Sequence, residues 1–136
     1  MITGVNHITL SVRNLEESIT FYTDVLSFRL LAKWTKGAYL ATGDIWLALI
    51  LDKKVRESPL PEYTHIALTV SIEDFPVLSQ RIQKSGATIW QENKSKGASL
   101  YFLDPNDHKL EIHASDLDTR IQTAKAHPWE GLDFFV

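Results

Sequence analysis

The sequence predicts an α+β fold in which two βαβββ modules form curved mixed sheets around a shared core. The stretch NHITLSV (6–12) returns as THIALTV (64–70), with a histidine near the head of each copy and alternating apolar residues behind it. A helix-forming segment and three short strand signals follow each copy. We therefore expect a single domain over residues 1–136, with repeats at about 1–51 and 63–114 and a C-terminal helix at about 115–126.

The first repeat continues with a helix at RNLEESITFYTDVLSF (13–28). Asn14 and Glu17 have the spacing of a capping box, and Ile19, Tyr22 and Leu26 recur at helical spacing. Three strand signals come next: FRLLAKW (28–34), AYLAT (38–42) and IWLALIL (45–51), with Gly-Asp at the last turn.

The second repeat has a helix at SIEDFPVLSQRIQKSG (71–86), with Ser71 and Asp74 as a weaker capping pair and Phe75, Leu78 and Ile82 as the apolar stripe. Its strand signals are ATIWQ (87–91), SLYFLD (99–104) and HKLEIHA (108–114), with Pro-Asn-Asp at the last turn. The charged segment 52–62 links the repeats, and Ser115 is the expected cap of the terminal helix.

Composition limits the function classes. The net charge of −3 gives no reason to expect nucleic acid or an anionic membrane as a partner. No apolar run is long enough to span a bilayer and no signal peptide is evident, so a cytoplasmic location is expected. Cysteine is absent, which excludes disulfides, thiolate–zinc sites and a cysteine nucleophile; any thiol must arrive with a small molecule. Neither module could bury its sheet alone, so the sheets must curve together or pair with a second chain.

Strand alternation predicts a metal site. It places His7 on the face of Thr9, and Glu111 on the face of Lys109 and His113. Two equivalent histidines, His7 and His65, plus a carboxylate suit a divalent ion such as Mn, Fe, Co, Ni or Zn with open coordination positions. His113 is an equally placed rival ligand. Each histidine taken singly also fits a polar residue at a sheet edge, and Glu111 a solvent-facing strand residue. Two further histidines, in turn and tail contexts, are expected to be exposed: His108 and His127.

The stretch NKSKGAS (93–99) combines hydroxyl and ammonium groups with Gly97, which permits an unusual loop conformation. The mixture suits a phosphate or phosphonate, although a solvated lysine-rich turn is the alternative. Arg120 is placed either to reach the same anion or to lie on the wet face of the terminal helix. Four aromatic residues fit a core or sheet face, or the lining of a ligand cavity: Trp34, Tyr39, Trp46 and Trp90.

Taken together, NHITLSV, Phe-Tyr in the first helix, GAYL, Trp46, YTHIALTV, NKSKGAS and YFLDPNDHKLEIH resemble the vicinal-oxygen-chelate (glyoxalase/bleomycin-resistance) superfamily. Within it, the chain resembles the fosfomycin resistance proteins of the glutathione transferase type, from about residue 1 to residue 135. The resemblance implies an enzyme that inactivates fosfomycin by adding the glutathione thiol to its epoxide.

The same resemblance implies a site. Mn²⁺ would be held by His7, His65 and Glu111, leaving His113 outside the ligand set. In the implied homodimer, His7 of one subunit joins His65 and Glu111 of the other. Residues implied to contact substrate are Thr9, Trp46, Lys94, Ser95, Ser99, Tyr101 and Arg120. Residues implied to form a K⁺ loop are Asn93, Ser95, Lys96, Gly97 and Ser99. Residues implied to bind the thiol are Trp34, Tyr39 and Gln91.

Three positions depart from the family pattern. Lys96 stands where relatives carry a glutamate near K⁺, and we expect its ammonium to replace the monovalent cation in part. Gln91 replaces a lysine, which removes a positive charge that Lys94 is placed to compensate. Asp107 replaces a glycine at the Pro-Asn-Asp turn, where aspartate tolerates a left-handed backbone.

Several alternatives remain open. A hydrolase of the same family needs a carboxylate base before the Trp46 strand, and KGAYLATGD offers none until Asp44. A bacillithiol or cysteine transferase, the former using Mg²⁺, differs in channel residues that the sequence does not place. A glyoxalase-like isomerase needs a second carboxylate, and the position equivalent to Glu111 falls near Ala48; an extradiol dioxygenase is a further distant rival. A drug-binding module of the same fold would need no metal ligands.

Overall fold

The computed structural model describes residues 1–94 and 97–136. In the first repeat, β1 (Ile8–Val12) leads into α1 (Leu15–Thr20), which continues as a π-helical turn (Phe21–Val25), and then into β2 (Arg29–Trp34), β3 (Gly37–Thr42) and β4 (Ile45–Leu51). In the second, β5 (Ile66–Thr69) leads into α2 (Phe75–Lys84), β6 (Ile89–Gln91), β7 (Ser99–Leu103) and β8 (Lys109–His113). A terminal helix, α3 (Leu117–Ala126), follows.

The two sheets have the same topology. Their strand orders are β1-β4-β3-β2 and β5-β8-β7-β6. In each, the first strand pairs in parallel with the last, and the other pairs are antiparallel. Thr9 lies opposite Ala48 just as Ala67 lies opposite Glu111. The predicted duplication and α+β fold class are therefore confirmed, as is the equivalence of Ala48 and Glu111.

A single apolar cluster joins the two repeats. Val12, Leu40 and Leu49 from the first sheet are fully buried together with Phe102 and Ile112 from the second. Each such side chain contributes roughly 1.5–3 kcal/mol through burial. The apolar faces of both sheets are occupied in this way, so their polar residues lie on the opposite faces.

The helix ends agree only in part with the predicted caps. Asn14 caps α1 as expected, its Oδ1 accepting a 3.0 Å hydrogen bond from the Glu17 amide. Ser71 accepts from the Asp74 amide as expected, but these residues form a turn and α2 begins only at Phe75. The prediction of Ser115 as the cap of α3 is wrong. Asp116 takes that role, because its carboxylate accepts from the Thr119 amide at 2.8 Å.

A buried polar layer links the β7–β8 turn to the first repeat. Asp104 accepts from the Tyr22 hydroxyl at 2.7 Å, and the Asn106 side-chain amide donates to Ser18. The expected exposure of His108 is wrong: only 5% of it is exposed, and its Nε2 lies 2.8 Å from the Ser11 carbonyl oxygen. The turn folds back against β1 and α1 rather than into solvent, which buries its polar side chains in mutual hydrogen bonds.

The backbone conformation of Asp107 and the length and hydropathy of the helices also bear on the predictions. Asp107 has a φ of 63°, so it adopts the left-handed conformation expected at that turn. In residues 1–94 and 97–136, no helix combines the length and hydropathy needed to span a membrane.

Candidate metal and anion site

His65 and Glu111 meet on the polar face of the second sheet. His65 directly precedes β5, Glu111 lies on the neighbouring central strand β8, and His65 Nε2 is 3.1 Å from Glu111 Oε1. The other ring nitrogen of His65 lies 3.0 Å from the Tyr63 carbonyl oxygen, which can only accept. A neutral His65 therefore carries its proton on Nδ1 and turns the Nε2 lone pair toward the carboxylate.

This arrangement fits a divalent metal. Two electron-pair donors 3.1 Å apart repel unless a proton or a cation lies between them. Metal–nitrogen and metal–oxygen bonds of about 2.0–2.2 Å, at angles near a right angle, place two ligand atoms about 3 Å apart. A histidine that binds a metal usually donates its other ring N–H to a carboxylate, a backbone carbonyl or water. The Tyr63 carbonyl oxygen takes this role for His65.

The second oxygen of Glu111 is held by Ser99, which is in turn within hydrogen-bond distance of His113. Ser99 Oγ lies 2.7 Å from Glu111 Oε2 and 2.6 Å from His113 Nδ1. His113 Nδ1 is 3.4 Å from the same carboxylate oxygen. Only 7% of Glu111 and 7% of Ser99 are exposed, so these hydrogen bonds are shielded from water. His65, Glu111, Ser99 and His113 thus form one continuous polar chain.

An open cavity of about 670 Å³ adjoins Tyr101, whose strand position is directly opposite Glu111. It gathers three predicted substrate contacts, Lys94, Tyr101 and Arg120, together with Gln91. Burial, and then the charge of Glu111, raise the pKa of Tyr101. Its hydroxyl therefore remains a proton donor at neutral pH, beside two cationic side chains.

Two lining residues of this cavity were not singled out by the sequence analysis: Tyr63 and Glu92. Tyr63 accepts a 2.9 Å hydrogen bond from Gln91 Nε2, and its ring packs edge-on against His65. The sequence contained one signal for Tyr63. It lies two residues before His65 in YTHIALTV, and side chains two residues apart in an extended segment lie on the same face. Trp90 also packs against His65, and its indole donates to the Leu110 carbonyl oxygen.

The predicted residues of the first sheet form a separate aromatic row. His7 lies 4.5 Å from the Trp46 ring, Trp46 lies 5.2 Å from Tyr39, and Tyr39 lies 4.8 Å from Trp34, measured between ring centroids. Trp34, Tyr39 and Trp46 are all more than one-third exposed. Trp34 rests on Gly37, where a Cβ atom would lie 2.6 Å from the indole. This row supplies an exposed aromatic surface rather than core packing.

His7 does not join the His65–Glu111 pair within one chain. It borders an apolar groove of about 410 Å³ with Trp46, Ile66 and Ala67. In the described part of the chain, no three histidine, aspartate or glutamate side chains converge closely enough to hold a metal.

The predicted K⁺ loop is described only in part. Asn93 Nδ2 donates a 2.8 Å hydrogen bond to the Gly97 carbonyl oxygen, and Gly97 has a φ of 108°, a conformation that favours glycine. Ser95 and Lys96 lie outside the described residues. Thr9 is exposed on the first sheet, facing away from the shared core.

Comparison with known proteins places these features in a family. The model of the glyoxalase/bleomycin resistance protein/dioxygenase superfamily matches residues 4–112. Over 136 residues the chain is 46% identical to the glutathione transferase FosA of Serratia marcescens, covering 98% of this chain and 96% of the relative. Over 143 residues it is 38% identical to the metallothiol transferase FosB of Staphylococcus haemolyticus (strain JCSC1435), covering 100% of each.

Solved structures agree. The fosfomycin resistance protein FosX of Listeria monocytogenes, in complex with Mn(II) and sulfate, superimposes with a TM-score of 0.80 at 26% identity, covering 90% of this chain and 98% of that one. FosX of Mesorhizobium loti gives a TM-score of 0.77 at 30% identity, covering 89% and 99%. The chain therefore belongs to the glyoxalase/bleomycin resistance protein/dioxygenase superfamily, and its relatives include a glutathione transferase FosA, a metallothiol transferase FosB and the fosfomycin resistance protein FosX.

Proposed function

We propose that this protein is a metal-dependent transferase that inactivates fosfomycin by adding glutathione to its epoxide. The sulfur, having lost its proton, bonds to one ring carbon, the bond from that carbon to the ring oxygen breaks, and the oxygen takes up a proton to become a hydroxyl. The observation that carries the proposal is the 3.1 Å distance between His65 Nε2 and Glu111 Oε1. Tyr101 of the same sheet lines a cavity that Lys94 and Arg120 also line. The 46% identity to a glutathione transferase FosA supports the choice of thiol. The absence of cysteine fits, because the nucleophile then comes from the co-substrate.

The metal site of the proposal is shared between two subunits. His65 and Glu111 of one chain bind the ion with His7 of the second chain, in a homodimer. Support comes from the exposed position of His7 and from the lack of a three-ligand group in the described residues of one chain. Mn²⁺ is the proposed ion, and when bound it supplies Lewis-acid stabilisation of the negative charge that develops on the epoxide oxygen.

The protein's own residues bind and orient the phosphonate. Arg120 and Lys94 neutralise its negative charge, and the Tyr101 hydroxyl donates a hydrogen bond to it. This neutralisation lets an anionic thiolate approach an anionic substrate. Thr9 and Trp46 close the substrate pocket from the first sheet. The loop containing Asn93, Gly97 and Ser99 holds a monovalent cation, with Lys96 taking over part of its charge.

The thiol enters along the exposed aromatic row. Trp34 and Tyr39 offer flat apolar surface, and Gln91 offers an amide beside the substrate cavity. A cytoplasmic location, where free thiols are kept reduced, fits this chemistry. Because a FosB relative is a metallothiol transferase, bacillithiol and cysteine are tested beside glutathione.

An epoxide hydrolase is the second candidate, and one observation favours it. Asp44 borders the same groove as His7 and Trp46, so a carboxylate lies near the first-sheet part of the proposed site. There it would act as a general base toward water. A mutant of the Listeria monocytogenes FosX relative has been crystallised with Mn(II) and a dihydroxypropylphosphonic acid.

Product analysis distinguishes the two candidates. Purified protein is mixed with Mn²⁺ and fosfomycin and, separately, with glutathione, cysteine, bacillithiol or no thiol, and the phosphonate is followed by ³¹P NMR. We expect adduct with glutathione only. A diol formed without thiol would instead identify a hydrolase, and Asp44→Asn would then abolish it.

Matched variants tie the reaction to the site. Glu111→Gln removes the carboxylate ligand and should abolish turnover, whereas Glu130→Gln changes an exposed glutamate of the C-terminal segment and should leave turnover unchanged. Full activity of Glu111→Gln would contradict the proposed metal centre.

A further inference from the structure

We propose that Ser99 and His113 are positioning residues that form a one-way hydrogen-bond relay beneath Glu111, and that Ser99 therefore does not donate to the phosphonate. The inference deepens the proposed function and rests on it. It revises one expected role of Ser99 and gives His113 a role other than that of a metal ligand.

The direction of the relay follows from counting protons. Ser99 has one hydroxyl proton, and its Oγ lies 2.7 Å from Glu111 Oε2 and 2.6 Å from His113 Nδ1. Its side chain also interacts with the hydroxyl of Tyr101, which lowers the pKa of that tyrosine against the larger effect of burial. An ionised Glu111 can only accept, so Ser99 must donate to it. His113 Nδ1 must then carry a proton and donate it to Ser99. The opposite direction would turn an oxygen lone pair of Ser99 toward a carboxylate oxygen 2.7 Å away, with no proton between them.

In the relay, the two carboxylate oxygens of Glu111 have different partners. Oε2 accepts from Ser99, whereas Oε1 faces His65 Nε2 and remains available for an ion. Glu111 would thereby present Oε1 to an ion while Oε2 stays hydrogen-bonded to Ser99. Ser99 donates its only proton to Glu111, so it has no proton left for a phosphonate oxygen.

The internal repeat provides an independent argument. Ser99 lies opposite His113 in the second sheet as Gly37 lies opposite Ile50 in the first. Glu111 occupies the position of Ala48. The repeat that lacks the carboxylate therefore also lacks the hydroxyl and the imidazole. The three residues occur together on the sheet that has the carboxylate, as expected if Ser99 and His113 serve Glu111.

Packing fixes the relay in place. Ser99 is on β7 and His113 on β8, adjacent strands whose cross-strand pairing sets their separation. The His113 side chain is 29% exposed, and its outer edge borders a second cavity, of about 530 Å³, that also contains Gly97. The ring is therefore anchored on one side by Ser99, and its outer edge borders the open cavity.

The test measures Mn²⁺ affinity by EPR titration of the purified full-length protein. His113→Phe removes the donor, and we expect about tenfold weaker Mn²⁺ binding, the size typical for loss of an outer support of a ligand. His113→Asn retains an N–H at the position of Nδ1 and should recover most of the affinity. His127→Gln, a change in the exposed histidine that ends α3, is the control and should bind Mn²⁺ as the parent protein does.

Double variants and substrate kinetics complete the test. Because His113 acts through Ser99, the double variant with Ser99→Ala and His113→Phe should bind Mn²⁺ no more weakly than Ser99→Ala alone. At saturating Mn²⁺, Ser99→Ala should lower kcat while leaving the fosfomycin KM unchanged. Additive losses, unchanged affinity in His113→Phe, or a raised fosfomycin KM with normal Mn²⁺ affinity would each overturn the relay.

Glu111→Gln separates failure of the relay from failure of the proposed function. If Glu111→Gln loses Mn²⁺ binding and His113→Phe does not, the metal centre stands and the relay is wrong. If Glu111→Gln binds Mn²⁺ like the parent protein, the metal centre is wrong and the relay with it.

Discussion

The Tyr22 hydroxyl donates a 2.7 Å hydrogen bond to Asp104, a residue 82 positions further along the chain. The contact joins the helix of the first repeat to the β7–β8 turn of the second, and both side chains are buried. Burial, and then the charge of Asp104, raise the pKa of Tyr22 above its ordinary value of 10.0. Tyr22 therefore stays protonated in the folded protein at pH values where an exposed tyrosine would ionise.

Replacing Tyr22 with phenylalanine tests this link. Tyr22→Phe should lower the free energy of unfolding by about 1–3 kcal/mol at pH 7, because Asp104 loses a donor while remaining buried. The unfolded parent protein releases the Tyr22 proton above pH 10 while the folded one retains it, so this contribution is present below pH 10 and lost as pH rises. Urea unfolding between pH 7 and 11 should show a shallower alkaline decline for the variant; an identical decline would contradict the link.

Mixing two inactive variants tests the shared site. His7→Ala and Glu111→Gln should each bind no Mn²⁺ tightly, yet a mixture allowed to exchange subunits should regain activity. Random assortment makes half the dimers hybrid, each with one intact site, so activity should reach about a quarter of the parent value. Mixing two preparations of Glu111→Gln is the control. If all ligands came from one chain, the mixture would stay inactive.

Trp129 should support Arg120. The Arg120 guanidinium lies 5.8 Å from the centre of the Trp129 ring. Arg120 is on α3, and Trp129 follows shortly after the end of that helix. Such a contact at an exposed position contributes about 0.5–1 kcal/mol, so Trp129→Leu should raise the fosfomycin KM about two- to fivefold. Phe134→Leu is the matched control, since Phe134 lies 5.5 Å from Lys125 rather than near Arg120. Equal effects of the two variants on steady-state kinetics would argue against the assignment.

Gly37 should govern the position of Trp34. A Cβ at residue 37 would lie 2.6 Å from the Trp34 ring and 2.8 Å from the Leu49 carbonyl oxygen, and the carbonyl belongs to the central strand. Gly37→Ala should therefore destabilise the fold by about 1–3 kcal/mol and displace Trp34. We expect a larger rise in the glutathione KM than in the fosfomycin KM. Gly4→Ala, where nothing lies within 4 Å, should change neither quantity.

Lys96, which lies outside the described residues, should reduce the need for K⁺. Activity of the parent protein should change little when K⁺ replaces tetramethylammonium at constant ionic strength. Lys96→Glu should create a strong K⁺ stimulation, because the loop then has a negative charge to neutralise. A many-fold stimulation of the parent protein would show that Lys96 does not substitute for the cation.

The strands and their duplication were predictable because alternation of apolar residues is a local signal. The Asn14 cap and the left-handed Asp107 were predictable for the same reason. The burial of His108 was not, because it depends on the β7–β8 turn folding against β1, a contact between residues 97 positions apart. Asp116 displaced Ser115 as a cap because both residue types suit that position, and only the backbone geometry decides which of them is used.

In the candidate site, too, local features were predictable and features that depend on long-range contacts were not. Alternation along single strands grouped Glu111 with Lys109 and His113, and the repeat made His7 and His65 equivalent, which together suggested the ligand set. The Ser99–His113 contact depends on which residues of β7 and β8 face each other, and register is not visible in a single sequence. The position of Lys94 and Arg120 beside one cavity depends on how α3 returns toward the loop after β6. Long-range placement, rather than residue type, was the missing information.

The separation of His7 from His65 and Glu111 within one chain has a thermodynamic consequence. On the proposed assembly, any ion that needs all three ligands binds the dimer and not the isolated chain, so metal and subunit association are linked. Chelation should then promote dissociation, and dilution should release the ion. Resistance conferred by such an enzyme would depend on both protein abundance and manganese supply, and a cell short of either would lose it more steeply than in simple proportion.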